Sequence, residues 1–307
     1  MNPGAIALVG APSSIGLRPY DDGMARHLDR APGALRERGL ASRLGAADLG
    51  NVEPPPYKDF VRPGRGARNE HQVAQYSRRL GEKVAAATIG RRFAIVLGGD
   101  CSIVLGCLLG ARRTAGTALG LVYVDAHADF ATAEESPTGS VAGMGLALAS
   151  GRGTSPLARL GRRGPLVEPG RIVLLGRRDF DDRAYGHDAL AASGILDITD
   201  SDLIAHPPAD VTERTLERVA ADGLDGFWVH VDADVLNPAV MPAVDSPEPG
   251  GLLPGDLAEL LRPLVHHPRA LGLSLTIYDP ALDPDRACAR RLVRLLETLF
   301  AATPLAA

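Results

Sequence analysis

Short apolar runs, many rich in β-branched residues, alternate along this chain with longer amphipathic segments, and this alternation restricts the possible folds more than any other feature. The apolar runs predict strands at 6–10, 93–97, 119–124, 171–176, 226–231 and 270–277. The amphipathic segments predict helices at 31–38, 71–87, 103–113, 182–192, 211–222, 255–265 and 285–301. Such alternation favours an α/β fold in which helices cover both faces of a parallel sheet.

No linker divides the chain. The run FAIVLGG at 93–99 is apolar throughout, as is typical of a strand buried on both faces of a sheet. Two segments rich in Gly and in charged or Pro residues, 51–68 and 151–170, are interpreted as long surface loops rather than as boundaries. We therefore expect one domain over residues 1–307.

The composition excludes several classes of partner. Lys and Arg number 33 and Asp and Glu number 37, so the net charge is −4 and nucleic acid is not an expected partner. No apolar run reaches the length of about 18 residues that a membrane span needs, so no membrane partner is expected. The three cysteines, Cys101, Cys107 and Cys288, are too few for a disulfide framework. A reducing cytoplasm is therefore the expected compartment.

Acidic and metal-binding side chains follow four of the predicted strands. In open α/β sheets, ligands bind beyond the carboxyl ends of the strands. The polar residues at these ends are Asp100 and Cys101; Asp125, His127 and Asp129; Asp179 and Asp181; and Asp232 and Asp234. We expect them to meet at one edge of the sheet.

The motif DAHAD, at 125–129, carries the most chemical information. Residues i, i+2 and i+4 of an extended segment point the same way, so two carboxylates and one imidazole converge. The motif DAD at 232–234 adds two more carboxylates. Close like charges force protonation unless a cation is bound between them. Carboxylates with one imidazole suit Mn²⁺ among other divalent ions, and four carboxylates suffice to hold a pair of ions.

These residues resemble the motifs of the ureohydrolase (arginase/agmatinase) superfamily over nearly the whole chain. The segments that carry the resemblance are GAPSSIG, RAPGALRERGL, VLGGDCS, DAHADF, GRRDFDD and VDADVLNP. The resemblance implies a three-layer α/β/α fold with a mostly parallel eight-stranded sheet. It also implies a homo-oligomer, a trimer or a hexamer.

The resemblance further implies a site with two Mn²⁺ ions per chain. Asp125 and Asp232 would bridge the ions, Asp129 would bind the first, and His127 and Asp234 would bind the second. A hydroxide held between the ions would attack the guanidinium carbon of a small-molecule substrate, and Asp129 would pass its proton to the leaving amine, giving urea. Asp181 and Ser246 match positions near the substrate.

Cys101 is the first departure from the family pattern, because a metal-binding His is expected there. A thiolate is a legitimate but softer ligand, which favours Zn²⁺ or Fe²⁺ more than His does. Alternatively, Cys101 is a buried thiol and the first ion binds weakly. Nω-hydroxy-arginine hydrolases of amino-acid antibiotic pathways resemble this chain in having Cys at this position.

The segment from Thr138 to Met144 is the second departure, and it also resembles the Nω-hydroxy-arginine hydrolases. Ala142 stands where arginases have a His proposed to shuttle protons, and Ser140 stands where they have an Asn that contacts substrate. Thr138 and Ser140 remain candidate substrate contacts. These two substitutions argue against unmodified L-arginine as the substrate. A less basic leaving group would need less proton delivery.

Ile277 is the third departure, since the family has there a Glu that pairs with the guanidinium. Loss of a charge-assisted bidentate bond weakens the case for a guanidine substrate. Asp279 is a candidate replacement. Two other interpretations stay open: the same metal site acting on an amide or formyl substrate, and a non-catalytic protein of this fold that binds a small ligand.

Overall fold

The computed structural model describes residues 5–58, 64–161, 164–180 and 186–301. Within them, eight strands form one sheet: β1 Ile6–Ala11, β2 Ala47–Asn51, β3 Phe93–Gly98, β4 Leu119–Val124, β5 Ile172–Leu175, β6 Leu196–Ile198, β7 Gly226–Asp232 and β8 Ala270–Thr276. Every pairing is parallel, and the order across the sheet is β2-β1-β3-β8-β7-β4-β5-β6. The expected eight-stranded α/β fold is confirmed.

The described residues also form ten α-helices. They are α1 Ala31–Glu37, α2 Leu40–Leu44, α3 Glu70–Thr88, α4 Val104–Thr114, α5 Gly145–Ala149, α6 His187–Ala191, α7 Asp200–Ala205, α8 Pro208–Val219, α9 Pro254–Val265 and α10 Ala287–Phe300. Among the described residues, no helix has both the length and the apolar character needed to cross a membrane.

The sheet separates two hydrophobic cores. Alternate residues of β3 point to opposite faces, so Ile95 packs in one core and Val96 in the other, and both are fully buried. Apolar side chains of α1, α8, α9 and α10 complete the first core, and those of α3, α4 and α5 complete the second. The result is a three-layer arrangement in which the central strands are covered on both sides.

The six strands predicted from apolar runs are all present, and their ends differ from the prediction by at most one residue. The residue pattern did not indicate β2 and β6. The strand β2 lies at the sheet edge with mostly exposed side chains, and β6 has only three residues, so neither shows a continuous apolar run. The helix predicted at 211–222 begins earlier, at Pro208, because proline suits the first turn of a helix.

The strand order brings the informative motifs together. Strands β3, β8, β7 and β4 are neighbours in the centre of the sheet, and their carboxyl ends lie on one edge. Cys101 follows β3, Asp125 follows β4, and Asp232 is the last residue of β7. Segments far apart in sequence therefore deliver their polar side chains to one place.

Candidate metal centre

A tight turn after β3 positions Cys101. Gly99 is required in this turn, because a Cβ at this position would lie 1.7 Å from the backbone oxygen of Ser13. The buried Asp100 carboxylate accepts hydrogen bonds from the backbone N–H groups of Ser102 and Gly16, at 3.0 and 3.1 Å. These bonds fix the turn against the segment after β1 and so fix the backbone of Cys101.

The Cys101 thiol lies between the ends of β7 and β8. Its Sγ donates to Oδ2 of Asp232 at 2.8 Å and lies 3.3 Å from Oγ1 of Thr276. Burial raises the pKa of the Cys101 thiol well above its usual range, and the charge of Asp232 raises this pKa further. The thiol therefore keeps its proton unless a cation binds.

A second set of ligands surrounds His127. Its Nδ1 lies 3.0 Å from Oδ2 of Asp234 and 3.4 Å from Oδ1 of Asp125. Burial lowers the pKa of His127, but the charge of Asp234 and hydrogen bonding to Asp125 outweigh burial, and the pKa rises well above its usual range. Positive charge is thus favoured between these two carboxylates.

Ligand atoms gather in two groups within the described residues. Atoms of Cys101, Asp125 and Asp232 all lie within 4.8 Å of one another, as do atoms of Asp125, His127 and Asp234. Asp125 belongs to both groups, and its buried Oδ2 has no hydrogen-bond partner among the described residues. A carboxylate that belongs to two ligand groups and has one oxygen without a hydrogen-bond partner fits a pair of divalent cations.

The pKa values of three carboxyl groups, those of Asp125, Asp232 and Asp234, also indicate a site that favours bound cations. Burial raises the pKa values of Asp125 and Asp232 well above their usual range, and the charge of Asp234 raises both further. Burial also works against ionisation of Asp234, but the facing His127 outweighs it and lowers the pKa of Asp234. Bound cations would relieve the repulsion within this buried cluster.

Asp129 stands apart from both ligand groups. Its Oδ2 accepts a hydrogen bond of 2.6 Å from the hydroxyl of Tyr123, a residue of β4. Burial raises the pKa of Asp129 to about 7, while the bond from Tyr123 lowers it. Asp129 is therefore oriented by the sheet and able to hold a proton near neutral pH. Tyr123 was not identified from the sequence, because a buried tyrosine in a strand is typical of a core residue.

A cavity of about 490 Å³ opens onto the cluster. Of the residues predicted to contact substrate, Thr138, Ser140 and Ser246 line this cavity. Asp279 does not line it: the Asp279 carboxylate accepts from the backbone N–H groups of His27 and Ala281 at 3.0 and 2.8 Å. Asp181 lies outside the described residues, so its predicted role stays a prediction.

Ile277 lines the cavity with a strained backbone. Its φ is +65°, a left-handed conformation that is unfavourable for a β-branched residue. Its N–H donates to the backbone oxygen of Gly99 at 2.8 Å, which holds the turn after β8 against the Cys101 turn. Ala142 lines the same cavity, so both positions where the family's functional side chains are absent face the site.

Six charged residues of the cavity were not predicted as site residues. They are Arg18, Arg26, Arg178, Asp179, Asp245 and Glu248. Asp179 did follow a predicted strand, and its Oδ2 accepts from the backbone N–H of Ala128 in the DAHAD motif at 2.9 Å. The others lie in loops, where the sequence carries no periodic signal of orientation.

The comparisons with known proteins agree with this geometry. The sequence model described as "Arginase family" matches residues 5–301. An arginase of Staphylococcus aureus (strain COL) is 31% identical over 309 aligned positions, covering 97% of this chain and 98% of the relative. The solved arginase of Bacillus caldovelox superposes with a TM-score of 0.87 at 28% identity, covering 99% of this chain and 100% of that one. A formimidoylglutamase of Bacillus subtilis shares the fold, with a TM-score of 0.74, 20% identity, and coverage of 98% and 87%.

Proposed function

This chain belongs to the arginase family, as its motifs indicated, and on that premise we propose that it is a Mn²⁺-dependent hydrolase acting on a C–N bond of a guanidino or modified guanidino compound. The observation that carries the proposal is the pair of buried ligand groups that share Asp125 at the wall of the cavity. A buried acidic cluster without cations would be held at a cost in folding free energy.

Six side chains would hold the metal pair. Cys101, Asp125 and Asp232 form the first ligand set, and Asp125, His127 and Asp234 form the second. Asp129, beside them, completes the set that the resemblance implied. When bound, divalent cations supply Lewis acidity and lower the pKa of water.

Asp129 would handle the proton of the reaction. Hydrolysis breaks the C–N bond, forms a C–O bond from water, and requires that a water proton reach the leaving nitrogen. The carboxylate of Asp129 lines the cavity beside the ligand sets, where it is placed to take up that proton and pass it on. The hydroxyl of Tyr123 keeps the carboxylate oriented for this transfer. The products are a urea-type compound and an amine.

Ile277 favours a second candidate function. An apolar side chain at the cavity wall offers a guanidinium no charge-assisted hydrogen bond, whereas it accommodates a neutral amide or formyl group. In this second candidate the same ligand sets and the same proton carrier act on an amide-type C–N bond. Glu248 supports the first candidate, because its carboxylate also lines the cavity, 3.8 Å from Nε2 of His127.

Urea release across a guanidino panel tests the proposal. We expect Mn²⁺-loaded protein to release urea or hydroxyurea from at least one of arginine, Nω-hydroxy-arginine, agmatine and guanidino acids. The same protein treated with a chelator is the control. No release by protein shown to bind metal would favour the amide candidate, and no release together with no metal binding would favour a non-catalytic ligand-binding protein.

Replacing Tyr123 by Phe should lower activity without preventing folding. The substitution removes the hydroxyl that orients Asp129, and loss of such a supporting hydrogen bond costs roughly 10-fold in activity. The measurement is kcat/KM on the substrate found by the urea assay. Tyr76→Phe is the matched control, because Tyr76 is equally buried but bonds the backbone oxygen of Val52. Equal activity of both variants would contradict the role of Tyr123.

A further inference from the structure

We propose that Thr276 is a positioning residue of the metal centre, whose hydroxyl donates a hydrogen bond to Sγ of Cys101 when this sulfur binds a cation as a thiolate. The inference rests on the proposed function, because it requires Cys101 to be a metal ligand, and it specifies how a soft ligand is adapted to a hard cation. It follows from a row of buried polar side chains that the proposed reaction does not use.

The row lies on one face of β7 and β8. Trp228, His230 and Asp232 are alternate residues of β7, and Ser274 and Thr276 are alternate residues of β8. In the pairing of the two strands, His230 is opposite Ser274 and Asp232 is opposite Thr276. None of the five residues is more than 2% exposed. Polar groups at this depth need hydrogen-bond partners, since a buried group without one costs free energy.

Contacts within the row order the side chains around Thr276. Nε1 of Trp228 donates to Oγ of Ser274 at 3.1 Å, and Nδ1 of His230 lies 2.8 Å from the same oxygen. Nε2 of His230 lies 3.5 Å from Oγ1 of Thr276. The imidazole also packs against the ring of Tyr123, with the ring centres 4.5 Å apart. His230 is therefore held on several sides, and it limits the positions open to the Thr276 side chain.

The hydroxyl of Thr276 lies between two acceptors. It donates to the backbone oxygen of Val231 at 3.2 Å, and its oxygen lies 3.3 Å from Sγ of Cys101. A hydroxyl has a single proton to donate. In the metal-free protein Sγ is itself a donor, to Asp232, so the Thr276 proton remains with Val231. Asp232 and Thr276 are the hydrogen-bond partners of Sγ among the described residues, and of the two only Thr276 can donate to a thiolate.

Metal binding changes which acceptor is better. A thiolate ligand has lost its proton, so its sulfur only accepts, and a hydrogen bond to a charged acceptor is stronger than one to a neutral carbonyl. Rotation of the Thr276 hydroxyl hydrogen redirects the bond from Val231 to Sγ, since the two acceptor distances are nearly equal. The heavy atoms of the row need not move.

The redirected bond changes the ligand character of the sulfur. A hydrogen bond to a thiolate withdraws electron density from it, which makes the thiolate easier to form and a less soft donor. Softer thiolates favour Zn²⁺, whereas Mn²⁺ prefers harder ligands. Thr276 therefore adapts Cys101 to a hard divalent cation, and the neighbouring row keeps Thr276 in position.

Titration of the metal-free full chain with Co²⁺ tests the inference, because a thiolate bound to Co²⁺ gives a sulfur-to-metal charge-transfer band in the near ultraviolet. Thr276→Val keeps the shape of the side chain but removes the hydroxyl. In this variant the band should move to longer wavelength, since the sulfur holds its electrons less tightly. The affinity for Co²⁺ should fall about 10-fold. Thr276→Ser, which has the hydroxyl, should show the wild-type band and affinity.

Thr215→Val is the matched control. Thr215 is fully buried, and its hydroxyl donates to the backbone oxygen of Val211 at 2.8 Å, within α8. This control should bind Co²⁺ with the wild-type band. A purely structural role of Thr276 would lower thermal stability without moving the band. If valine prevents folding, Thr276→Ala provides the same measurement, because it also removes the hydroxyl.

The outcomes separate the inference from the proposed function. An unchanged band and affinity in folded Thr276→Val overturns the inference while the proposed function stands. Binding of Co²⁺ to the wild-type protein without a charge-transfer band shows that Cys101 is not a ligand and overturns the inference; urea release by the Mn²⁺-loaded protein then decides the proposed function separately. No binding of Co²⁺ or Mn²⁺, together with no urea release, overturns both.

Discussion

An Asp232→Asn variant is expected to lose activity by about a thousandfold or more, because several kcal/mol of charge stabilisation depend on the metal ions it helps to hold. Asp232 accepts from the Cys101 thiol through Oδ2 and from the backbone N–H of Asp234 through Oδ1, at 2.8 and 2.9 Å. Asparagine preserves the shape of this group but removes its charge. The loss is therefore one of metal affinity rather than of folding.

Thermal unfolding separates these two effects. Without metal, the variant should be at least as stable as the wild-type protein, because one of several mutually repelling buried carboxylates is gone. Saturating Mn²⁺ should stabilise the wild-type protein by about 2.7 kcal/mol at 100 times the dissociation constant and leave the variant unchanged. Asp222→Asn, at a fully exposed acid before β7, should behave as wild type. Full activity of Asp232→Asn would refute the assignment of the site.

Replacing Cys101 by His should strengthen Mn²⁺ binding by roughly 10- to 100-fold at the first ligand group. The wild-type thiol must lose a proton whose pKa burial has raised, and thiolate is a softer ligand than Mn²⁺ prefers. Imidazole needs no such deprotonation near neutral pH. The measurement is titration of metal-free protein with Mn²⁺, in which unbound Mn²⁺ is followed by electron paramagnetic resonance.

A competition experiment identifies the origin of the change. The wild-type protein should favour Zn²⁺ over Mn²⁺ more strongly than Cys101→His does, since the thiolate contributes to zinc preference. Cys107→Ala is the matched control, because Cys107 is equally buried but packs within α4. This control should bind both metals as the wild-type protein does. A collapse of metal binding in Cys101→His would instead mean that the cysteine has a role that no other ligand can fill.

Much of the fold follows from local sequence pattern. The central strands are continuous apolar runs, so the pattern locates β3 and β7 to within one residue. The acidic motifs follow these strands directly, and parallel strands end on one edge of a sheet, so the approach of Asp125 to Asp234 is predictable from the chain alone. The departures from the family pattern at Cys101 and Ile277 can also be recognised from the chain alone, because each lies in or beside a motif that follows a central strand.

The rest depends on contacts between segments that the sequence does not connect. The position of Asp129 is set by the hydroxyl of Tyr123 and by a left-handed backbone (φ +46°), not by the extended spacing expected of the DAHAD motif, because β4 ends before the motif begins. Asp279 was expected near the substrate, but the chain leaves β8 at Thr276 and turns, so that backbone N–H groups capture this carboxylate. The ion pair of Arg26 with Asp245 joins loops from opposite halves of the chain, and no periodicity indicates it.

A backbone hydrogen bond joins the turn after β8 to the turn after β3, and it allows the site to change at one position without changing at another. The bond from Ile277 to Gly99 uses only backbone atoms, so the side chain at position 277 can be exchanged while the turn carrying Cys101 stays in place. The left-handed backbone of Ile277 costs about 1–3 kcal/mol in folding free energy. Asn and Asp tolerate this conformation better than a β-branched residue does. A change of side chain at this position can therefore alter the surface that faces the substrate while the turn that carries a metal ligand keeps its backbone contacts.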